Sequence, residues 1–198
     1  MPVSPFFNTR SLCAFLLSLP LILGAAETKF GHHRYPLLSE KELKIAGNYR
    51  ETGRVIKLHP DAAEAFVQMV AAAKNQNTII VPISGHRTKK YQENLFKNSR
   101  KRHNRTEEET AHWVAPVGFS EHHTGYALDL GDGNAPTTDI EQSFEDTAAF
   151  RWLTENAATY HFELSFPRNN PQGIGYEPWH WRFVGTTESQ KLFHPQEK

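Results

Sequence analysis

The chain has 198 residues, 38% hydrophobic and 12% aromatic, enough for one packed domain and too apolar for wholesale disorder. Its 22 Lys and Arg balance 22 Asp and Glu, so no general electrostatic attraction draws it to nucleic acid or to an anionic membrane. The 11 histidines are the compositional oddity, because imidazole ligates metals and carries protons near neutral pH.

Residues 1–26 differ from everything after them. "MPVSPFFNTR" ends in Arg10, the one charged side chain of the stretch; "SLCAFLLSLPLILGAA" then runs apolar and closes on Gly24, Ala25 and Ala26. Charge, apolar run and small residues in that order form the layout of a secretory signal peptide, with cleavage expected after Ala26. The run is short for a bilayer span and contains Pro20, so no stable membrane insertion is expected after cleavage. Cys13 leaves with this leader, and the exported chain then relies on its core or on a metal rather than on disulfides. A secreted or periplasmic location follows as the expectation.

Residues 27–59 are polar and weakly patterned, and "HHRYP" and "YRETGR" read as loop and turn. They are expected to lie as an N-terminal arm on a single domain spanning 27–198. "HPDAAEAFVQMVAAAKNQN" predicts a helix. Pro60 suits its first turn, Asp61 its positive end, and Ala62, Phe66, Met69, Val70 and Ala73 share one face. "TIIVPIS" predicts a short buried strand. "SGHRTKKYQENLFKNSRKRH" predicts a turn into a second helix, with Tyr91 and Leu95 facing inward. The basic run from Lys97 to Arg105 meets the acidic run from Glu107 to Glu109, as at a solvated helix–helix junction. Thr106 and Glu109 fit the capping box of a short helix through Trp113.

"GFSEHHTGYALDLGDG", residues 118–133, admits three readings: a metal site, a solvated turn, or buried polar groups that satisfy one another. Beyond it, "NAPTTD" reads as a loop and "FEDTAAFRWLTENAATYHF" as a third long helix. "FELSFP" reads as a strand, "RNNPQGIGYEP" as a turn-rich loop and "WHWRFVG" as a closing strand. Helices mixed with short strands at hairpin spacing imply an α+β fold, a small mainly antiparallel sheet flanked by helices.

Catalytic zinc sites commonly take three protein ligands, leave a position for water, and keep a carboxylate nearby to accept its proton. The candidates are Glu121, His122, His123, Asp129 and Asp132 in one cluster, and Glu177 and His180 in the other. Pro178 pushes Glu177 into extended backbone, so this pair is not the helical H-E-x-x-H arrangement. Trp179, Trp181 and Phe183 alternate with His180 and Arg182, so one face of that strand packs while the other is polar. On a straight strand His123 shares a face with Asp129, but Thr124-Gly125 is a natural break. Periodicity therefore leaves the choice between His122 and His123 open.

Three stretches together carry a resemblance. "SEHHTGYALDLG" fits S-x-H-x-x-G-x-A-x-D, "YEPWHWRFVG" fits E-x-W-H, and "SGHRTKKYQENLF" looks like an S-G-Y-R-…-Y-Q element. With the last of these lying upstream of the other two, and over roughly residues 50 to 185, they resemble the VanY-like D-alanyl-D-alanine carboxypeptidases, zinc peptidases that trim peptidoglycan stem peptides. The resemblance implies one zinc ion per chain, held by His122, Asp129 and His180, with Glu177 as catalytic base and His123 a bystander. It implies that Arg87 holds the substrate's terminal carboxylate or polarises its carbonyl, and that Ser120 and Gln92 line the substrate pocket. His86 departs from the pattern, standing where the family usually has Tyr. The implied activity is removal of a terminal D-alanine. An L,D-carboxypeptidase or a peptidoglycan endopeptidase would keep the same metal site and differ in the pocket shaped by loops 101–119 and 167–176. A non-catalytic wall-binding domain would have no use for Glu177.

Overall fold

The computed structural model describes residues 27–194 together with Met1. The expected signal peptide lies outside the described residues. The segment 27–59 is more ordered than its weak patterning suggests. It forms a hairpin of β1 (Thr28–Lys29) and β2 (His32–His33), then a second hairpin of β3 (Lys44–Asn48) and β4 (Val55–Leu58), whose turn is "YRETGR". Helix α1 (Pro60–Asn75) starts where Pro60 and Asp61 place it. His59 is its cap, accepting the Asp61 N–H, and Ala62, Ala63, Phe66, Met69 and Ala73 are buried.

The central sheet has four antiparallel strands in the order β5 (Ile80–Ser84), β6 (Ala127–Asp132), β8 (His180–Phe183) and β7 (Phe162–Leu164). Leu128, Leu130, Trp181 and Phe183 join the core with Phe66 and Met69 of α1. Strand alternation therefore sends Asp129, His180 and Arg182 to the opposite face. Asp129 pairs directly with His180 across β6 and β8, and with Ser84 across β5 and β6, where a bulge makes Ile83 the extra residue.

Helix α2 (Lys89–His103) departs from expectation, because Gln92 is its buried residue and Tyr91 is 44% exposed. Tyr91 and Leu95 face a cavity rather than the core. Helix α3 (Glu107–Ala111) carries the expected box, with Thr106 and Glu109 capping each other's backbone. The third long helix is broken into a 3-10 turn (Gln142–Asp146), α4 (Ala148–Asn156) and a second 3-10 turn (Ala157–Tyr160). Thr147 causes the first break: its backbone is extended, and its hydroxyl donates to the Phe144 carbonyl and accepts the Phe150 N–H, capping α4. A final helix not expected from the sequence, α5 (Thr187–Phe193), seats Phe193 against Tyr35 with ring centres 5.6 Å apart.

Candidate metal centre and active site

A one-turn 3-10 helix, Glu121–Thr124, delivers the first histidines. It ends at Gly125, whose φ of +73° closes the turn, and a Cβ there would stand 3.0 Å from the His59 amide nitrogen. The chain then enters β6, so strand parity does not apply to the His122–His123 pair. The turn buries both rings and gives them different partners. His122 Nδ1 lies 2.7 Å from the Gly85 carbonyl, which makes that nitrogen the N–H donor and leaves Nε2 as a lone pair. Nε2 is buried without a hydrogen-bond partner. His123 spends both nitrogens on backbone, 2.8 Å from the Arg87 carbonyl and 3.1 Å from the Gly118 N–H.

His122, Asp129 and His180 converge as the one group of three ligand-type residues found among the described residues, with their ligand atoms within 4.8 Å of one another. Asp129 Oδ1 stands 3.3 Å from His122 Nε2 and 3.1 Å from His180 Nδ1. Bonds of about 2.1 Å at tetrahedral angles would set ligand atoms about 3.4 Å apart, so these separations suit a tetrahedral ion such as zinc. The orphaned lone pair of His122 and the two-imidazole, one-carboxylate donor set fit the same ion.

The surroundings orient each donor. His180 Nε2 donates to Glu121 Oε2 at 2.9 Å, which turns Nδ1 toward the cluster. Glu121 in turn accepts from Arg182 Nη1 at 2.7 Å and from the Tyr35 hydroxyl at 3.4 Å. Burial alone would raise the Glu121 carboxyl, but Arg182 and His180 hold it well below the usual range. Asp129 Oδ2 pairs with Arg87, whose Nε donates to Ser84 Oγ at 3.0 Å. Burial, with the Arg87 charge behind it, pushes the His122 imidazole down to about 4, so its Nε2 is free of a proton at neutrality.

Glu177 sits at the edge of this cluster, its Oε2 3.7 Å from His180 Nδ1, with its backbone N–H on the Phe166 carbonyl. Burial pushes its carboxyl up to about 8; His180 and Arg87 oppose the rise, while Asp129 and Glu121 add to it. A buried carboxyl this close to the three donors is placed for general acid–base work.

These groups open into a cavity of about 230 Å³ lined in part by Arg87, Ser120, Glu177 and His180. Of the two loops expected to shape it, 101–119 lines it directly and 167–176 does not. Trp113, Val114 and Ala115 belong to one loop, and Phe166 precedes the other. The loops are joined where the Gly175 N–H donates to the His112 carbonyl at 2.8 Å. Ser120 lines the cavity. Gln92 does not: it is buried behind the wall, where its amide holds the Ala115 carbonyl at 2.8 Å. Asp132 also lies outside the centre, accepting the Asn134 and Ala149 N–H groups at 2.7 and 3.0 Å. His86 lines an adjoining groove rather than this cavity. The sequence pattern did not single out Arg182 or the supporting role of Glu121, because both act through partners about sixty residues away in the chain.

A family model described as VanY, D-alanyl-D-alanine carboxypeptidase, matches residues 55–186. The YodJ protein of Bacillus subtilis (strain 168) is 30% identical over 164 residues, 75% of this chain and 59% of that protein. The bifunctional D-Ala-D-Ala dipeptidase and D-Ala-D-Ala carboxypeptidase VanXYC of Enterococcus gallinarum is 34% identical over 140 residues, 69% of this chain and 72% of the relative. Among solved structures, the LdcB LD-carboxypeptidase aligns with a TM-score of 0.67 and 27% identity, over 80% of this chain and 75% of that one. The match thus spans less than two thirds of YodJ, and most of VanXYC and LdcB.

Proposed function

The chain belongs to the VanY family of D-alanyl-D-alanine carboxypeptidases, and from that premise we propose that it is a zinc carboxypeptidase removing the terminal D-alanine from peptidoglycan stem peptides. The observation that carries the proposal is Glu177, a buried carboxyl 3.7 Å from His180 Nδ1 at the mouth of a three-donor cluster. A purely structural metal site has no need of such a group.

His122 Nε2, Asp129 Oδ1 and His180 Nδ1 would hold the zinc. When bound, zinc supplies Lewis acidity, bringing the pKa of water to about 7 and polarising the scissile carbonyl. Glu177 Oε2 takes the proton as water attacks the amide and returns it to the nitrogen of the departing amino acid. Arg87 is fixed by Ser84 and Asp129 on the cavity wall, where its charge favours the oxyanion and an anionic C-terminus. Glu121 keeps the His180 Nε2–H pinned, so His180 presents the same nitrogen throughout. Export by the leader in residues 1–26 would bring the enzyme to its substrate, outside the cytoplasm.

The test is mass spectrometry of the purified, zinc-loaded protein incubated with tetrapeptide and pentapeptide muropeptides. Loss of one D-alanine from the pentapeptide alone is the expected result. Conversion of tetrapeptide to tripeptide would assign the L,D specificity that LdcB's name describes, and no change in either would contradict the proposal.

A further inference from the structure

Two arginines line the reaction cavity, and their electrostatic situations differ. Arg87 is paired with Asp129, whereas Arg54 has no ion-pair partner among the described residues. An exposed arginine ordinarily keeps much of its rotamer freedom. Arg54 is held instead: its Nη2 donates to the Ile83 carbonyl at 2.8 Å, and its guanidinium carbon lies 5.9 Å from the ring centres of both Tyr49 and Tyr91. Ile83 and Ser84 are consecutive on β5, so one strand end anchors both guanidinium groups, Arg54 through a carbonyl and Arg87 through a hydroxyl.

Arg54, Arg87 and Tyr91 also line a second groove, again of about 230 Å³, that continues past Val55, Lys57, His86 and Thr88. Glu40 is the one acid on its wall. The two spaces share these three residues and so lie side by side. An enzyme that removes a C-terminal residue keeps that residue inside the reaction cavity, and the rest of the peptide has to pass out of it.

We propose that Arg54 is a specificity-determining residue that binds a side-chain carboxylate on the third residue of the stem peptide, N-terminal to the scissile bond, where the chain leaves the cavity for the groove. The proposal rests on the carboxypeptidase reading above. A planar guanidinium held on one side offers its remaining N–H groups to a carboxylate in a fixed geometry that a lysine cannot reproduce.

The experiment uses two pentapeptide stems identical except that the third residue's side-chain carboxylate is free in one and amidated in the other. The wild-type protein is expected to favour the free acid by about tenfold or more in kcat/KM, carried by KM, as a charged hydrogen bond would give. Arg54→Gln is expected to bring the ratio to about one, and Arg54→Lys to keep part of it. An unchanged ratio in Arg54→Gln overturns the proposal, even if both rates fall together, since a merely structural arginine would lower both alike. If Arg54→Gln does not fold, the wild-type ratio decides alone, and a ratio of one overturns the proposal. Calorimetric binding of both peptides to Glu177→Gln, with and without Arg54→Gln, separates the two readings. A binding preference that depends on Arg54 sustains the anchor even if the wild type cleaves neither peptide, which would count against the carboxypeptidase reading alone. Equal binding of the two peptides removes the anchor and leaves that reading standing.

Discussion

His122 and His123 are adjacent, equally buried, and set to opposite tasks by their partners. His123 has both nitrogens on backbone groups, while His122 has one on Gly85 and one with no hydrogen-bond partner. His122→Ala is therefore expected to abolish zinc retention on dialysis. His123→Ala should keep the zinc and lose about 1–3 kcal/mol of stability, the cost of stranding buried polar groups. Metal analysis with denaturant unfolding checks both, and the reverse pattern would displace His122 from the ligand set. Glu177→Gln should lower turnover by roughly 10²–10⁴-fold, the range of a lost general base, with zinc content unchanged. Near wild-type turnover in that variant would remove Glu177 from the chemistry. The sequence alone could not separate the two histidines, because their roles depend on Gly85, Arg87 and Gly118, which only the fold brings to them. Family spacing favoured His122 without supplying the physical cause, which is the unspent Nε2.

What was legible at the level of elements was local. The alternation in "WHWRF" gave the polar face of β8 because period two needs only one strand, and α1 was readable from its cap and apolar face. The pairing of Asp129 with His180 joins strands about fifty residues apart and has no local signature. The expected long helix failed at Thr147, where a side chain satisfies backbone groups that the helix would otherwise use. Tyr91 misled for a related reason: its helical spacing with Leu95 is real, but the face they share borders a cavity. The turn bearing His122 depends on Gly125, at φ +73° and with its missing Cβ 3.0 Å from His59 N. Gly125→Ala should destabilise the fold by about 1–2 kcal/mol for the left-handed conformation alone. An unchanged urea midpoint would show that the turn tolerates a side chain.

Across the whole molecule, the N-terminal segment, the turn carrying His122 and the last strand are tied through one buried network. Tyr35 reaches Glu121, Glu121 holds His180 and Arg182, and Arg182 extends to Glu163 on β7. The segment expected as an N-terminal arm laid on the domain contributes to the cavity wall, with His32 lining it and hydrogen-bonded to the Ala111 carbonyl at 2.7 Å. Burial lowers the His32 imidazole below its ordinary 6.5. A histidine depressed in this way favours folding while neutral, so its contribution is complete above pH 6.5 and is lost as the pH falls toward the folded value. Hydrogen exchange of residues 27–38 should therefore become less protected below pH 6.5 in the wild type and much less pH-dependent in His32→Gln; identical profiles would contradict this role. His122, Asp129 and His180 are proposed to form one zinc site beside Glu177. Anomalous diffraction at the zinc edge from crystals of the zinc-loaded protein tests it most directly. One peak about 2.1 Å from His122 Nε2, Asp129 Oδ1 and His180 Nδ1 is the predicted result. A peak on His123 or Glu121, or none at these three atoms, would contradict it.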